Sequence, residues 1–434
     1  MSQGAPRLAT SNKKSQLTSN ILWLYGLQGL NYLIPAALLP YLVRVLGVEQ
    51  YGLIAFAQAI AQYFIIGTDY GFNFSATRAI ARDREDKEKV CRVFWTVLMI
   101  KLVLLIAGAV VLCGAVMWVA RLRENAAVYL ATYVAVIGNA IFPLWLFQGL
   151  ERMSAISMIT GLAKLASAIL IVILVRRPGD TLLATLLLSS GFLIAGIVGL
   201  VSALKNHIEH FIMPGWGDIR AALHSGRHLF VTTAAISLYT NTNTFLVGAL
   251  AGNEQAGYFS LADKIIRAVV GLISPIIQAS YPHVVRLLAE SRDAALAFIR
   301  KLVFRGMAGG LFLGAILFVT AKPVADIAFH NQAHAAAPLL RCLALFPAMA
   351  TVAYILGATA LIPFGFDREQ SRMLLTIGVL NIVVGAVLIP FLGAFGGVVA
   401  MNLAESLQVV GNIVILNRGR VSLFRTSTGS PVTR

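Results

Sequence analysis

The sequence contains few charged residues. They make up 12% of the 434 positions, whereas hydrophobic residues make up 58%. Soluble proteins use about 25% charged residues, so the composition excludes an ordinary soluble domain. Apolar runs of about 20 residues recur, and each is long enough to cross a hydrocarbon layer of about 30 Å as a helix. The runs lack the alternation of barrel strands. An all-α polytopic membrane protein is therefore predicted.

Cysteine is equally scarce. The three cysteines lie in or beside apolar runs, and such a set favours neither a disulfide framework nor a thiolate metal site. The sequence also lacks the GxxxxGK[ST] phosphate loop, the HExxH motif and the CxxC pair. ATP hydrolysis and a resident metal or other cofactor are therefore not expected. Three histidine pairs have helical spacing, but no carboxylate or thiol cluster joins them, so solvated histidine is favoured over metal binding. The pairs are His207/His210, His224/His228 and His330/His334.

Acidic residues are fewer than basic ones. The chain has 35 Lys and Arg against 19 Asp and Glu, a formal net charge of +16. In a soluble chain this excess would suggest nucleic acid, but here the basic residues lie mostly between apolar runs. Counted on alternate sides of the membrane, 24 lie on the side of the N-terminus and seven on the other. Since basic residues near helix ends favour the cytoplasm, both termini are predicted to be cytoplasmic. This placement accounts for the positive charge, so no nucleic-acid partner is predicted.

About twelve apolar segments are predicted to span the membrane, with approximate boundaries. They are 20–46, 52–77, 93–120, 126–149, 154–175, 181–204, 230–250, 257–281, 302–321, 338–362, 373–390 and 395–417.

A short motif occurs twice among these segments. Gly47, Glu49, Gln50 and Gly52 are repeated at an offset of 205 residues, and Phe142-Pro143 is repeated as Phe346-Pro347 at an offset of 204. Chance similarity between Gly- and Leu-rich segments is the alternative explanation. The repeat predicts an N-terminal six-helix bundle (1–204), a cytoplasmic interfacial linker (205–229) and a C-terminal six-helix bundle with a short cytoplasmic tail (230–434). The two pseudo-symmetric bundles would be related by an axis along the membrane normal.

Several charged side chains remain inside the predicted spans. Each would cost roughly 2.5–3.5 kcal/mol against lipid, so they should face the protein interior or a wet cavity. A cavity with excess basic residues favours an anionic substrate. The candidate substrate-binding residues are Arg44, Lys101, Lys164, Lys264, Arg267, Gln28 and Asn31, and the acids inside spans are Asp69, Asp263 and Glu405.

Structural roles are the alternative for some of these residues. Asp263 and Arg267 are four positions apart and can pair along one helix face. Asp69 can extend toward the membrane surface or pair with Arg78. Lys101, Lys164 and Glu405 have no charged partner at helical spacing, which favours a functional cavity for them. The amides of Gln28 and Asn31 have helix–helix hydrogen bonding as their alternative.

Four stretches resemble flippases of the Wzx type: Pro40–Gly52, Asp69–Arg78, Pro143–Met153 and Gly257–Lys264. These flippases belong to the multidrug/oligosaccharidyl-lipid/polysaccharide exporter superfamily. The resemblance implies two six-helix bundles around a central cavity. It also implies a cargo of undecaprenyl-pyrophosphate-linked oligosaccharide units, such as O-antigen, moved from the inner to the outer leaflet of the bacterial inner membrane by alternating access. The implied partners are this glycan, membrane lipids and other polysaccharide assembly proteins.

The resemblance further implies coupling to an H⁺ or Na⁺ gradient, for which Asp263 and Glu405 are our candidates. Two other functions are considered. A multidrug or small-molecule cation antiporter shares the fold but lacks the Asp69–Arg78 and Pro143–Met153 patterns. A glycan polymerase or ligase usually carries its catalytic residues in a large outer loop, whereas the longest outer loop here is only Lys322–Ala337. A transporter rather than an enzyme is predicted.

Overall fold

The computed structural model describes residues 34–35, 37–271, 273–329, 333–419 and 421, and these ranges contain helices and no strand. Nine helical stretches among them are long and apolar enough to cross a membrane. Gln28 and Asn31 lie outside the described residues. The chain divides into two compact units, residues 1–234 and 235–434.

The described residues of unit 1 form ten helices, the last of which continues into unit 2. They are α1 (Ala37–Leu46), α2 (Val48–Asp69), α3 (Phe72–Arg82), α4 (Lys87–Trp118), α5 (Ala120–Glu124), α6 (Ala126–Ile141), α7 (Leu144–Gly149), α8 (Met153–Leu174), α9 (Thr181–Asn206) and α10 (Trp216–Thr240).

In unit 2, the part that the structure describes contains the end of α10 and eight further helices. They are α11 (Thr242–Ala251), α12 (Asn253–Gly271), α13 (Ser274–Glu290), α14 (Arg292–Phe329), α15 (Ala333–Cys342), α16 (Phe346–Ile355), α17 (Asp367–Leu392) and α18 (Ala394–Arg418). A π-helical turn, Leu356–Leu361, continues α16.

The predicted linker 205–229 contains a helix, and this helix extends past the predicted end of the linker. Helix α10 begins at Trp216 and continues without a break through residue 229 into the seventh predicted span. Its Ile219 and Leu223 pack against the buried core of unit 1. These two side chains therefore contribute to the packing of unit 1.

Helix α4 shows how the helices meet lipid. Val103, Ile106 and Val110 are 66%, 65% and 68% exposed in the chain itself. Their spacing places them on one face of the helix. An apolar stripe of this kind is unfavourable in water and stable against acyl chains. Together with the nine candidate spans of the described residues, it shows a multi-pass membrane protein.

The repeated motif has the same backbone geometry in both units. Gly47 has φ +84° and Gly252 has φ +96°, a region that L side chains rarely adopt, and each glycine separates two helices. Gln50 Oε1 accepts a hydrogen bond from the Thr181 hydroxyl at the start of α9. Gln255 Oε1 accepts one from the Ala394 amide at the start of α18. Each glutamine thus connects the helix after the glycine to a later helix of its own unit, which supports an internal repeat.

The second repeated pair also marks irregular backbone in both units. Helix α6 ends at Ile141, Phe142 is extended and α7 begins after Pro143. In unit 2, a short 3₁₀ segment, Leu343–Leu345, precedes α16, whose first turn contains Pro347. Proline lacks the amide hydrogen that a continuous helix needs, which explains an interruption at each site.

Close backbone packing between α6 and α9 leads to a stability prediction. A Cβ atom on Gly138 would overlap the backbone of Phe192, and one on Gly196 would overlap the carbonyl of Gly138. Gly138→Ala should therefore destabilise unit 1 by about 1–3 kcal/mol, because the two backbones would have to separate. Thermal unfolding of the detergent-purified protein measures the effect. Gly114→Ala is the matched control, since nothing lies within 4 Å of its Cβ position. An unchanged unfolding temperature for Gly138→Ala would contradict the prediction.

Candidate functional site

The turn between α2 and α3 places Asp69 inside unit 1. Tyr70 (φ +46°) and Gly71 (φ +77°) are both left-handed, so the chain changes direction immediately after Asp69. A Cβ on Gly71 would lie 2.8 Å from the Phe230 backbone nitrogen, which means that only glycine allows α10 to pass this closely. The Tyr70 ring stacks on Phe230 with centroids 5.0 Å apart. The turn is thus held against α10, and the Asp69 carboxylate is held with it.

Asp69 forms a buried ion pair with Lys101 of α4. The Lys101 ammonium donates to Asp69 Oδ1 at 3.2 Å, and its side chain is 1% exposed. Its Nζ also lies 4.6 Å from the centroid of the fully buried Trp145 ring. A carboxylate and an aromatic face together offset the loss of water around a buried cation. The site is therefore a closed charge cluster.

This geometry differs from two expectations. Asp69 does not pair with Arg78, since α3 turns away from α2 and Arg78 is exposed. The cargo contact predicted for Lys101 has no support in this geometry, because the ammonium is enclosed and already has an anionic partner. Lys101 and Asp69 are 32 residues apart, so helical spacing could not identify the pair.

The other candidate cations of unit 1 are more accessible. Arg44 lies near the end of α1 and is exposed. Lys164 is half-buried on α8, with its Nζ 5.8 Å from the centroid of the Phe192 ring on α9. The structure does not bring these cations into one cluster with Lys101. They remain predicted binding residues.

In unit 2, α12 places Asp263 and Arg267 one turn apart. Arg267 Nε donates to both Asp263 carboxylate oxygens at 2.8 Å. The terminal nitrogen Nη2 of Arg267 donates to the carbonyl of Thr240, the last residue of α10, at 2.7 Å. The structural pairing considered from the sequence is thus present. The Arg267 side chain is still 37% exposed, so the pair is not sealed from its surroundings.

Two further candidates lie in the same unit. Lys264 follows Asp263 on α12 and is half-buried. Glu405 is 7% exposed on α18. Burial of a carboxylate inside a membrane helix is the environment expected for an ion-coupling group, and equally for a structural one. The coupling role of Asp263 and Glu405 therefore stays a prediction.

Unit 2 also contains a set of amide side chains that connect helices, most of which the sequence did not single out. Asn381 of α17 donates to Asn243 of α11 at 3.0 Å, and both side chains are buried. On α18, Asn402 donates to the Cys342 carbonyl and Asn412 to the Ala353 carbonyl. Buried amides of this kind connect helices inside membranes. The recurrence of polar residues along α18, at 402, 405, 408 and 412, was the available signal.

The expectation that the chain holds no metal ion was checked on the usual ligand residues, His, Cys, Asp and Glu. Within the described ranges, no group of three or more such residues is placed to hold a metal ion. His330 lies outside those ranges.

Comparisons with known proteins agree on one family. The profile of the family described as "Polysaccharide biosynthesis protein" matches residues 17–288. A curated protein of Escherichia coli (strain K12), named "Putative O-antigen transporter", is 32% identical over 373 residues, covering 86% of this chain and 90% of that protein. A protein of the same name from Shigella dysenteriae is 31% identical over 398 residues, covering 91% and 98%.

Two solved structures share the fold. The lipid II flippase MurJ, in an inward closed conformation, aligns with a TM-score of 0.68 at 12% identity, covering 91% of this chain and 87% of that one. An inward-facing multidrug resistance transporter of the MATE family in the MOP superfamily aligns with a TM-score of 0.64 at 17% identity, covering 92% and 96%. At these identities the likeness shows a polytopic MOP-type fold and nothing about cargo.

Proposed function

Because this chain belongs to the polysaccharide biosynthesis protein family, we propose that it is a flippase for lipid-linked oligosaccharides. The observation that carries the proposal is the 32% identity to a curated protein named as an O-antigen transporter, over 86% of this chain. Similarity over this length extends across both compact units. The relatives' names support a transporter rather than an enzyme.

The proposed cargo is an oligosaccharide repeat unit on undecaprenyl pyrophosphate, moved from the inner to the outer leaflet of the bacterial inner membrane by alternating access. The cargo carries negative charge at its pyrophosphate. Basic residues within the membrane helices suit such a headgroup, and Arg267, 37% exposed on α12, has the guanidinium geometry that phosphate oxygens prefer. The excess of basic residues on one side supports cytoplasmic termini.

We propose about twelve membrane spans in two six-helix bundles around a central cavity. Nine candidate spans are found within the described residues. The remaining apolar stretches are the region of α1, the pair α10–α11 and the pair α12–α13, which would bring the number to about twelve. The matching geometry at Gly47 and Gly252 supports the repeat.

Coupling to an H⁺ or Na⁺ gradient is proposed for the acids of unit 2. Glu405 is buried and Asp263 already shares its carboxylate with Arg267. In both cases a change in protonation would alter the electrostatics of a membrane helix. No resident cofactor is proposed. The proposed partners are the lipid-linked glycan, membrane lipids and other polysaccharide assembly proteins.

A multidrug or small-molecule cation antiporter of the same fold is the second candidate. A MATE transporter shares the fold at a TM-score of 0.64, but only at 17% identity. The curated relatives share about twice that identity and are named as O-antigen transporters. The lipid-linked cargo is therefore preferred.

Deletion of the gene tests the proposal. The deletion strain should lose surface glycan and accumulate an undecaprenyl-pyrophosphate-linked oligosaccharide on the cytoplasmic side, identified by mass spectrometry of extracted lipids. A plasmid copy of the full chain should reverse both effects. Normal surface glycan with increased sensitivity to cationic drugs would instead support the antiporter.

A further inference from the structure

Unit 1 contains a cavity lined by three arginines, and the transport proposal does not use it. It has a volume of about 460 Å³ and lies among α3, the first turns of α4 and the N-terminal half of α10. Cavities that hold small ligands usually measure about 300–1,000 Å³. The cavity is separate from the enclosed Asp69–Lys101 pair, neither of which lines it.

The wall of the cavity combines two kinds of surface. One part is apolar and includes Phe72, Val97 and Leu229. The other part is cationic and contains the arginines Arg78, Arg82 and Arg92, with the hydroxyl side chains Ser75, Thr96 and Ser225 nearby. An apolar wall beside guanidinium groups and hydroxyl donors suits a ligand that has a phosphate group at one end and hydrocarbon at the other.

Two of the three cavity arginines have carboxylate partners. Arg82 pairs with Asp83 at 2.9 Å, and Arg92 pairs with Glu88 at 3.2 Å. Asp218 is the carboxylate in the cavity wall, and it lies 3.9 Å from Arg92 while accepting a hydrogen bond from the Gly215 amide.

Arg78 differs from the other two arginines. It lines the cavity and forms no salt bridge with any carboxylate of the described residues. One guanidinium is therefore available to an incoming anion without breaking an ion pair.

The segment before α10 is suited to the membrane surface. Phe211, Met213 and Trp216 are 55%, 77% and 76% exposed, a cost in water that insertion among lipid headgroups removes. The segment is fixed to α4, because Trp95 Nε1 donates to the His210 carbonyl at 3.1 Å and the Phe211 ring meets Trp95 edge to face. Trp216 begins α10 two residues before Asp218, so these apolar anchors adjoin the cavity.

We propose that this cavity binds the phosphate headgroup of an anionic lipid of the cytoplasmic leaflet. The phosphate contacts Arg78 and its two neighbouring arginines, and an acyl or prenyl chain follows the apolar wall. Basic groups near this leaflet attract anionic headgroups, and the arginines supply directed hydrogen bonds as well. The bulk phospholipid and the lipid pyrophosphate of the cargo share this chemistry. The site rests on the proposed orientation of the chain but not on the proposed cargo, because a bulk phospholipid would occupy it in a protein with any cargo.

Native mass spectrometry of the full chain in detergent tests the site. The probes are phosphatidylglycerol, phosphatidylcholine and undecaprenyl pyrophosphate, each titrated separately. Phosphatidylglycerol should bind, and Arg78→Gln should weaken it by about tenfold or more, the size expected for loss of a hydrogen bond to a charged group. Arg84→Gln is the matched control, since Arg84 lies just after the end of α3, carries the same charge and does not line the cavity. It should change affinity less than about twofold, as surface charges contribute little.

A second variant separates occupancy from charge. Ala222→Phe fills the cavity without changing any charge, and it should abolish the Arg78-dependent binding. Thermal unfolding of each variant shows whether it folds. If Ala222→Phe does not fold, the Arg78→Gln result alone decides. Binding of undecaprenyl pyrophosphate at least tenfold tighter than phosphatidylglycerol would assign the site to cargo, and comparable binding would assign it to bulk lipid. Equal loss in Arg84→Gln and Arg78→Gln, equal binding of phosphatidylcholine, or no binding of either anionic lipid would overturn the proposal.

Discussion

Lys101→Ala should greatly reduce the amount of folded protein. Removal of the ammonium leaves the buried carboxylate of Asp69 without its cation, and loss of one partner of a buried ion pair costs about 3–5 kcal/mol. It also leaves a space against Trp145, which adds to the cost. Membrane abundance and thermal unfolding of a fluorescent fusion, followed by size-exclusion chromatography in detergent, measure the effect.

A double replacement shows whether the pair or the packing matters. Asp69→Leu with Lys101→Met removes both charges and keeps apolar volume, so most of the lost stability should return. Lys164→Ala is the matched control, because Lys164 is also in a membrane helix of unit 1 but is only half-buried. Wild-type stability of Lys101→Ala together with lost glycan transport would reject the structural role and restore Lys101 as a cargo-binding residue.

Arg267→Ala should abolish surface glycan while the protein remains at normal abundance. The guanidinium holds both oxygens of Asp263 and the Thr240 carbonyl, and it is exposed enough to meet cargo. Arg267→Lys should retain only part of the activity, because an ammonium cannot reproduce the planar, multiply donating contacts of a guanidinium. Surface glycan is measured by lectin or antibody binding in a deletion strain that carries each variant.

The alternative for Arg267 is a purely structural link between α12 and the end of α10. In that case single variants at Asp263 or Arg267 should lower abundance, and the exchange of Asp263→Arg with Arg267→Asp should restore it. Abundance and glycan are therefore measured together in the same strains. Full surface glycan in Arg267→Ala at normal abundance would remove this residue from the cargo site and transfer the phosphate contact to Lys164.

Local features of the chain were predictable because their causes are local. The scarcity of charge and the length of the apolar runs predicted a helical membrane protein, since hydrocarbon accepts only backbones whose polar groups are paired internally. The repeat of Gly47 at Gly252 marked two left-handed junctions, because a positive φ favours glycine wherever it occurs. The four-residue spacing of Asp263 and Arg267 was enough to raise their pairing as the structural alternative, because residues at this spacing share one helix face. The family resemblance was likewise readable from contiguous motifs, and residues 17–288 match the family profile.

Contacts between helices were decided by the tertiary structure. Lys101 had no partner at helical spacing, yet the turn at Tyr70 and Gly71 brings Asp69 to it across 32 residues. Asn243 and Asn381 meet in the same way across 138 residues. The arginines of the basic cavity come from α3 and α4, and α10 closes the wall. A periodic pattern determines which face of a helix is polar, but the neighbour of that face depends on how whole helices pack, and this depends on side chains far apart in the sequence.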